Sequence, residues 1–165
     1  MKKTGYTHVV HTFGPVYDRD SRILILGSVP SVKSREKGFY YGHPQNRFWK
    51  VMSALLKEEM PDDNEGKREV LLRHGIALYD TVYSCDISGS SDSTIRNVVP
   101  SDLSRIIEES GIERLFCNGK TSGALFQRFH RDSLKMEAVV LPSTSPANAA
   151  WTLDMLIDAW SIIKE

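Results

Sequence analysis

Apolar positions along the chain alternate between short unbroken runs and helical spacings. Residues 22–27 (RILILG) read as a strand buried on both faces and closed by a glycine turn. From Asn46 the residues Phe48, Val51, Met52, Leu55 and Leu56 recur at i, i+3, i+4, i+7 and i+8, one stripe of an amphipathic helix with Pro61 beyond its end. A shorter helix over 65–74 stops at Gly75, the left-handed cap position, and 76–79 reads as a second strand. Ser101 is placed to cap a helix that carries Leu103, Ile106 and Ile107 and stops at Gly111. Residues 115–117 form a third strand, followed by a helix with Leu125, Phe126 and Phe129 on one face. Residues 138–141 form a fourth, and Leu153, Leu156, Ile157 and Trp160 mark the last helix.

Four strands alternating with helices predict an α/β fold: a three-layer αβα sandwich around a central four-stranded parallel sheet, in a single domain over residues 1–165. Ligands of such sheets bind outside the carboxyl ends of the strands. That rule nominates residues 27–46, 80–97, 118–121 and 142–148, including the small polar loop SGSSDST at 88–94.

Composition narrows the class. With 165 residues, 41% hydrophobic and 25% charged, the chain buries enough surface to build a core without disulfides or a structural metal. Its longest apolar runs fall far short of the ~20 residues that cross a bilayer. Lys2 and Lys3 are not followed by the apolar stretch of a secretory signal, so the expectation is a cytoplasmic protein without a membrane partner. Cys85 and Cys117 are too few for a four-thiolate centre, and His8, His11, His74 and His130 lack metal-ligand spacing and read as surface or capping residues. A thiol hydrolase built on Cys85 with Asp80 and Asp86 has no nucleophile-elbow sequence to support it.

The charge balance of 21 basic against 21 acidic side chains conceals an asymmetry. Residues 1–50 hold nine basic and three acidic groups, net +6, whereas residues 51–113 hold six and thirteen, net −7. The basic segment also contains the strings most suited to chemistry, GSVPS at 27–31 and GFYYGHPQNRFW at 38–49. Glycine and proline after a strand let backbone approach a ligand closely. Phe39, Tyr40 and Tyr41 suit stacking on a flat ring, or equally the core.

These residues resemble motif 1 of the uracil-DNA glycosylase superfamily, where a strand-end glycine is followed by an aromatic loop and Asn-x-Phe-Trp. Gly27 and Asn46 stand 19 positions apart as in the mismatch-specific uracil/thymine branch, and HPQNRFWKV at 43–51 matches almost letter for letter. LPSTSPAN at 141–148 is similar to motif 2, and FCNGKT at 116–121 resembles the third strand and helix start. Two departures matter. Val29 stands where the mismatch-specific branch has a water-positioning asparagine, and Ser143 stands at the usual His or Asn of motif 2. With FGPVY at 13–17, SREKGFYYGHPQN at 34–46 and GSSDS at 89–93, the pattern looks most like the hypoxanthine-DNA glycosylase family.

That resemblance implies a monofunctional DNA glycosylase without cofactor or metal, which flips a deaminated base out of DNA and leaves an abasic site. It implies Asn46 and Ser143 as catalytic residues, Asn46 holding water or contacting the base where a plain N-cap is the alternative. Gly27, Ser28, Val29, Pro30, Tyr41 and His43 would hold the base, with Tyr41 in the stacking position. Ser31, Lys33, Arg35, Lys120, Ser145, Pro146, Ala147 and Asn148 would meet DNA, the last four as the wedge in the minor groove, and Lys37 and Arg47 suit flanking phosphates. Asp92 and Asn97, in a strand-end segment, are pocket candidates, and the acidic segment 51–113 is expected mostly to face away or border the pocket. The expected partner is double-stranded DNA, with single-stranded DNA left open, met by a monomer. The same fold acting on mismatched uracil, and a nucleic-acid-binding module without chemistry, are the alternatives.

Overall fold

The structure is a computed structural model that describes residues 5–88 and 92–165, Asp92 in its backbone alone. In chain order its strands are β1 (Tyr6–Val10), β2 (Ile23–Gly27), β3 (Ile76–Asp80), β4 (Val82–Ser88), β5 (Arg96–Pro100), β6 (Arg114–Asn118) and β7 (Ala138–Leu141). Its helices are α1 (Val32–Lys37), α2 (Phe48–Leu56), α3 (Asn64–Arg73), α4 (Leu103–Glu108), α5 (Lys120–Phe129), α6 (Arg131–Leu134) and α7 (Leu153–Trp160).

The four apolar runs form the expected parallel sheet in the order β3-β2-β6-β7. Every residue of β2 and β3 is buried, which is why neither shows polar alternation. Helices cover the sheet, α3 against β3 and α5 against β6 and β7, while α2 packs on α7. The apolar stripe read from Phe48 to Leu56 is fully buried, and Phe48 meets Trp160 edge-on at 5.9 Å. The parallel register sets Gly27 beside Asp80, and Asn118 beside Leu141, so the strand ends share one edge.

A second, antiparallel sheet in the order β1-β4-β5 was not expected from the pattern. Its outer strands expose most of their residues and carry little apolar signal, and β4 is interrupted by Ser84 and Asp86. Only Thr81 separates β3 from β4. There Thr81 N–H donates to Gly27 O (2.8 Å) and Val82 N–H to Ser28 O (3.2 Å), so the chain creases into the second sheet while still bonded to the exit of β2. A small apolar cluster of Val9, Val82, Cys85 and Ile87 fills the crease, with Val29 packed against it.

The caps correct three expectations. Ser101 does not cap α4: its N–H is tied to Thr81 O at 3.1 Å, and Asp102 next to it accepts from Arg105 N–H instead. That helix ends at Glu108, short of Gly111. Asn46 lies one residue outside the cap position of α2, which Arg47 occupies. Helix α1, too short to show periodicity, is held by Ser31, whose hydroxyl accepts from Ser34 N–H at 3.1 Å, and is closed by Gly38 at φ 68°. Gly75 is left-handed as expected, at φ 73°. Among the described residues no helix is long and apolar enough to cross a membrane.

Candidate active site

The ends of β2, β3 and β6 and the loop after β7 open on one cavity of about 780 Å³. Residues from all four nominated segments line it: Gly27, Ser28, Val29, Pro30, Ser31, Lys33, Arg35, Tyr41, His43, Asn46, Ser143, Ser145, Pro146 and Ala147 among the expected ones. Tyr40, Asp80, Ser93, Asn118 and Thr144 join them. Lys120 and Asn148 are not on this lining. Lys120 is exposed at the start of α5, and the Asn148 amide donates to Ser143 O at 3.0 Å, bracing the loop.

Tyr41 forms one wall. Its ring stacks on buried Phe48 with centroids 4.0 Å apart and planes 22° apart. Its backbone is left-handed (φ 54°), a strained state for a bulky residue that holds the ring against the cavity. The phenol is buried, and burial together with the Asp80 carboxylate keeps it protonated far above the ordinary tyrosine range. Phe39 and Tyr40 are buried core residues, whereas Tyr41 is half-buried.

The protons around Asn46 are ordered by the backbone. Phe48 N–H donates to Asn46 Oδ1 at 3.0 Å, which fixes which end of the amide is oxygen. Likewise Thr144 N–H donates to Asn118 Oδ1 at 3.0 Å, so Asn118 Nδ2 donates to Thr144 Oγ1, also at 3.0 Å. The Thr144 hydroxyl proton then goes to Asn46 Oδ1 at 2.8 Å. Both lone pairs of Asn46 Oδ1 are occupied, and its NH₂ is the group left for the cavity.

Arg47 does not serve a phosphate, contrary to expectation. Its backbone N–H donates to Thr144 O at 3.0 Å, and its guanidinium donates to Ser145 O (2.9 Å), Asn148 O (3.1 Å) and Trp151 O. A loop without secondary structure is thereby fixed by one side chain packed against it. Ser143 Oγ accepts from Ser145 N–H at 3.1 Å, leaving its own proton to donate. Gly119, at φ 98°, lies under it where a Cβ would sit 3.1 Å from Ser143 Cβ.

Other expectations fall away. Lys37 is exposed and off the lining, whereas Lys33 stays on it while pairing with Glu36 at 3.4 Å. Asn97 bonds Asp86 at 2.8 Å on the second sheet and does not line the cavity. The side chain of Asp92 and residues 89–91 lie outside the described residues. Burial pushes the Cys117 thiol up to about 11 and raises Cys85 as well, which makes both poor nucleophiles at neutral pH. His11 and His130 are buried rather than on the surface. His11 Nε2 meets Asp80 Oδ2 at 2.6 Å, and His130 Nε2 meets Thr81 O at 2.7 Å.

The model of the "Uracil DNA glycosylase superfamily" matches residues 15–164. The chain belongs to that superfamily. A protein of Methanosarcina barkeri named hypoxanthine DNA glycosylase is 33% identical over 150 residues, 90% of this chain and 89% of its own length. One of the same name from Methanosarcina acetivorans is 37% identical, over 82% of this chain and 86% of its own. A solution structure from Methanosarcina acetivorans, described as a candidate uracil DNA glycosylase, superposes with TM-score 0.77 at 30% identity, covering 93% of this chain and 97% of that one. The superfamily resemblance read from the two motif strings is borne out, as is the helix-flanked four-stranded parallel sheet.

Within this superfamily frame the sequence reading did not single out Asn118 and Thr144 as site residues, and it named Asp80 only as a partner of Cys85. Each stood in a nominated strand-end segment, and polarity at a strand end was the signal. His11 carried no such signal, being 69 positions from Asp80 and placed by the unforeseen sheet.

Proposed function

We propose that this protein is a monofunctional DNA glycosylase that removes hypoxanthine from deoxyinosine and leaves an abasic site. The observation that carries the reading is the Asn46 amide, locked as a donor on the lining it shares with Tyr41, in a cavity of about 780 Å³. Breaking an N-glycosidic bond moves negative charge onto the departing base, and pre-set donors stabilise that charge. Asn46 NH₂ and Ser143 O–H are such donors. Tyr41 would contribute roughly 1–3 kcal/mol by stacking on the base. The two relatives named hypoxanthine DNA glycosylase support the choice of base. So does Val29, an apolar residue packed into the crease where a water-holding asparagine would mark the mismatch-specific branch.

Water attacks the anomeric carbon, its hydroxyl remaining on the sugar and its proton passing to the base, which departs with the bonding pair. Double-stranded DNA is the proposed substrate, met by a monomer, with Arg35, Lys33 and Lys120 toward phosphates and Ser145, Pro146 and Ala147 as the wedge. Duplexes bearing deoxyinosine, uracil or no lesion, treated with the protein and then with hot alkali, test this. Strand breaks confined to deoxyinosine are expected. Breaks only at uracil would move the assignment to the mismatch-specific branch, and binding without breaks would leave a non-catalytic module.

A further inference from the structure

We propose that Arg35 holds the phosphodiester of the nucleotide whose base has entered the cavity, and that it makes no such contact with a straight duplex. This rests on the glycosylase reading above and names what lets that site favour an extruded nucleotide over a stacked one. Arg35 stands on α1, and its half-buried side chain lines the cavity together with Ile87 of β4. Burial and Asp86 raise the Cys85 thiol while the Arg35 charge draws it down, which sets the guanidinium near β4. Among the described residues no carboxylate answers that charge. Both oxygens of Asp86 are taken, by His8 Nδ1 at 2.9 Å and Asn97 Nδ2 at 2.8 Å, and Glu36 pairs with Lys33 at 3.4 Å. Asp80, the acid of the cavity, is held by His11 Nε2 at 2.6 Å. The Arg35 Nε–H is buried without a hydrogen-bond partner.

A guanidinium half withdrawn from water with one donor unpaired is unfavourable on both counts. An anion that brings two acceptor oxygens to its fork answers the charge and the orphan N–H together, and a phosphodiester is such an anion. Lys33 and Lys120 are exposed and meet the phosphates of any duplex that lies on the surface, whatever its state. The buried Nε of Arg35 is closed to those outer phosphates. A nucleotide whose base reaches Asn46 and Tyr41 draws its own phosphate inward, because the sugar joins the two. The Arg35 contact then forms with the base in the cavity and is absent when the base is stacked. A contact present in one of two states shifts the equilibrium toward that state, so Arg35 offsets part of the cost of unstacking.

Binding is read by fluorescence anisotropy on two duplexes, one undamaged and one with deoxyinosine carrying a 2′-fluorine, which resists cleavage because fluorine disfavours positive charge on the sugar. Wild type is expected to prefer the second. Arg35→Gln is expected to lower that preference by about 10-fold in a protein that melts as wild type does. Lys120→Gln should instead weaken both duplexes alike. A methylphosphonate beside the lesion removes one phosphate charge. At one position it should cost wild type about 10-fold in affinity and Arg35→Gln less than about twofold, and it should cost wild type less than about twofold at that position of the undamaged duplex. If Arg35→Gln does not fold, the wild-type comparison of the two duplexes decides by itself. A methylphosphonate loss equal in both duplexes, a preference unchanged in Arg35→Gln, or a wild type without preference overturns the proposal. Excision of deoxyinosine without this coupling removes the Arg35 contact alone, and coupling without strand breaks at deoxyinosine removes the glycosylase reading alone.

Discussion

Thr144 Oγ1 donates its proton to Asn46 Oδ1 at 2.8 Å, across 98 residues of chain. The hydroxyl has no choice, because Asn118 Nδ2 already donates to it and Asn118 Oδ1 is held by Thr144 N–H. The Asn46 amide is thus aimed by a fully buried threonine. Thr144→Val keeps the volume and removes the bond, leaving Asn118 Nδ2 and half of Asn46 Oδ1 unpaired at roughly 1–3 kcal/mol. Excision is expected to fall by about 10- to 100-fold in kcat, and Thr144→Ser to restore it.

Two substitutions of Asn46 distinguish donor from acceptor roles. Asn46→Asp keeps the bonds from Phe48 N–H and Thr144 O–H and removes the NH₂. A folded protein with excision reduced by about 10²–10³-fold is expected, and Asn46→Ala should lose a similar factor. An active Asn46→Asp enzyme would show instead that this position serves water as an acceptor.

Arg47→Lys tests the brace on the loop after β7. A lysine cannot span the carbonyls of Ser145, Asn148 and Trp151 together. The expected result is a loss of about 2 kcal/mol in stability. Faster amide exchange over residues 145–151, measured by mass spectrometry, should accompany it.

His130 gives a pH dependence. Burial lowers its folded pKa below the usual histidine value, partly offset by the bond to Thr81 O. The unfolded chain takes up a proton near pH 6.5 that the folded chain refuses until lower pH. Stability is therefore expected to fall as pH drops through about 6.5, since the unfolded state then binds more protons. Thermal melts from pH 7.5 to 5 should show a shallower decline in His130→Gln.

Much of the fold was legible in the sequence because β2, β3 and β6 are continuous apolar runs and α2 and α7 keep their helical stripes. Strong burial on known faces leaves a strong periodic trace. Sheet β1-β4-β5 left none, since strands exposed on most of their length need no apolar run and their pairing is set by partners far away in sequence. The strings around Asn46 and Ser143 likewise marked one edge of the parallel sheet as the site, because strand order alone brings strand ends together.

What the sequence determined by itself was the parallel sheet, the edge that carries the cavity, and the superfamily. What only tertiary structure decided was the job of each polar group. Arg47 turned from phosphate to backbone, Asn46 became a donor once Thr144 and Phe48 had filled its oxygen, and Asp80 gained His11. Hydrogen-bond roles are set by which donors and acceptors meet in space, and all of those meetings but the one between Phe48 and Asn46 span 69 to 104 residues of chain.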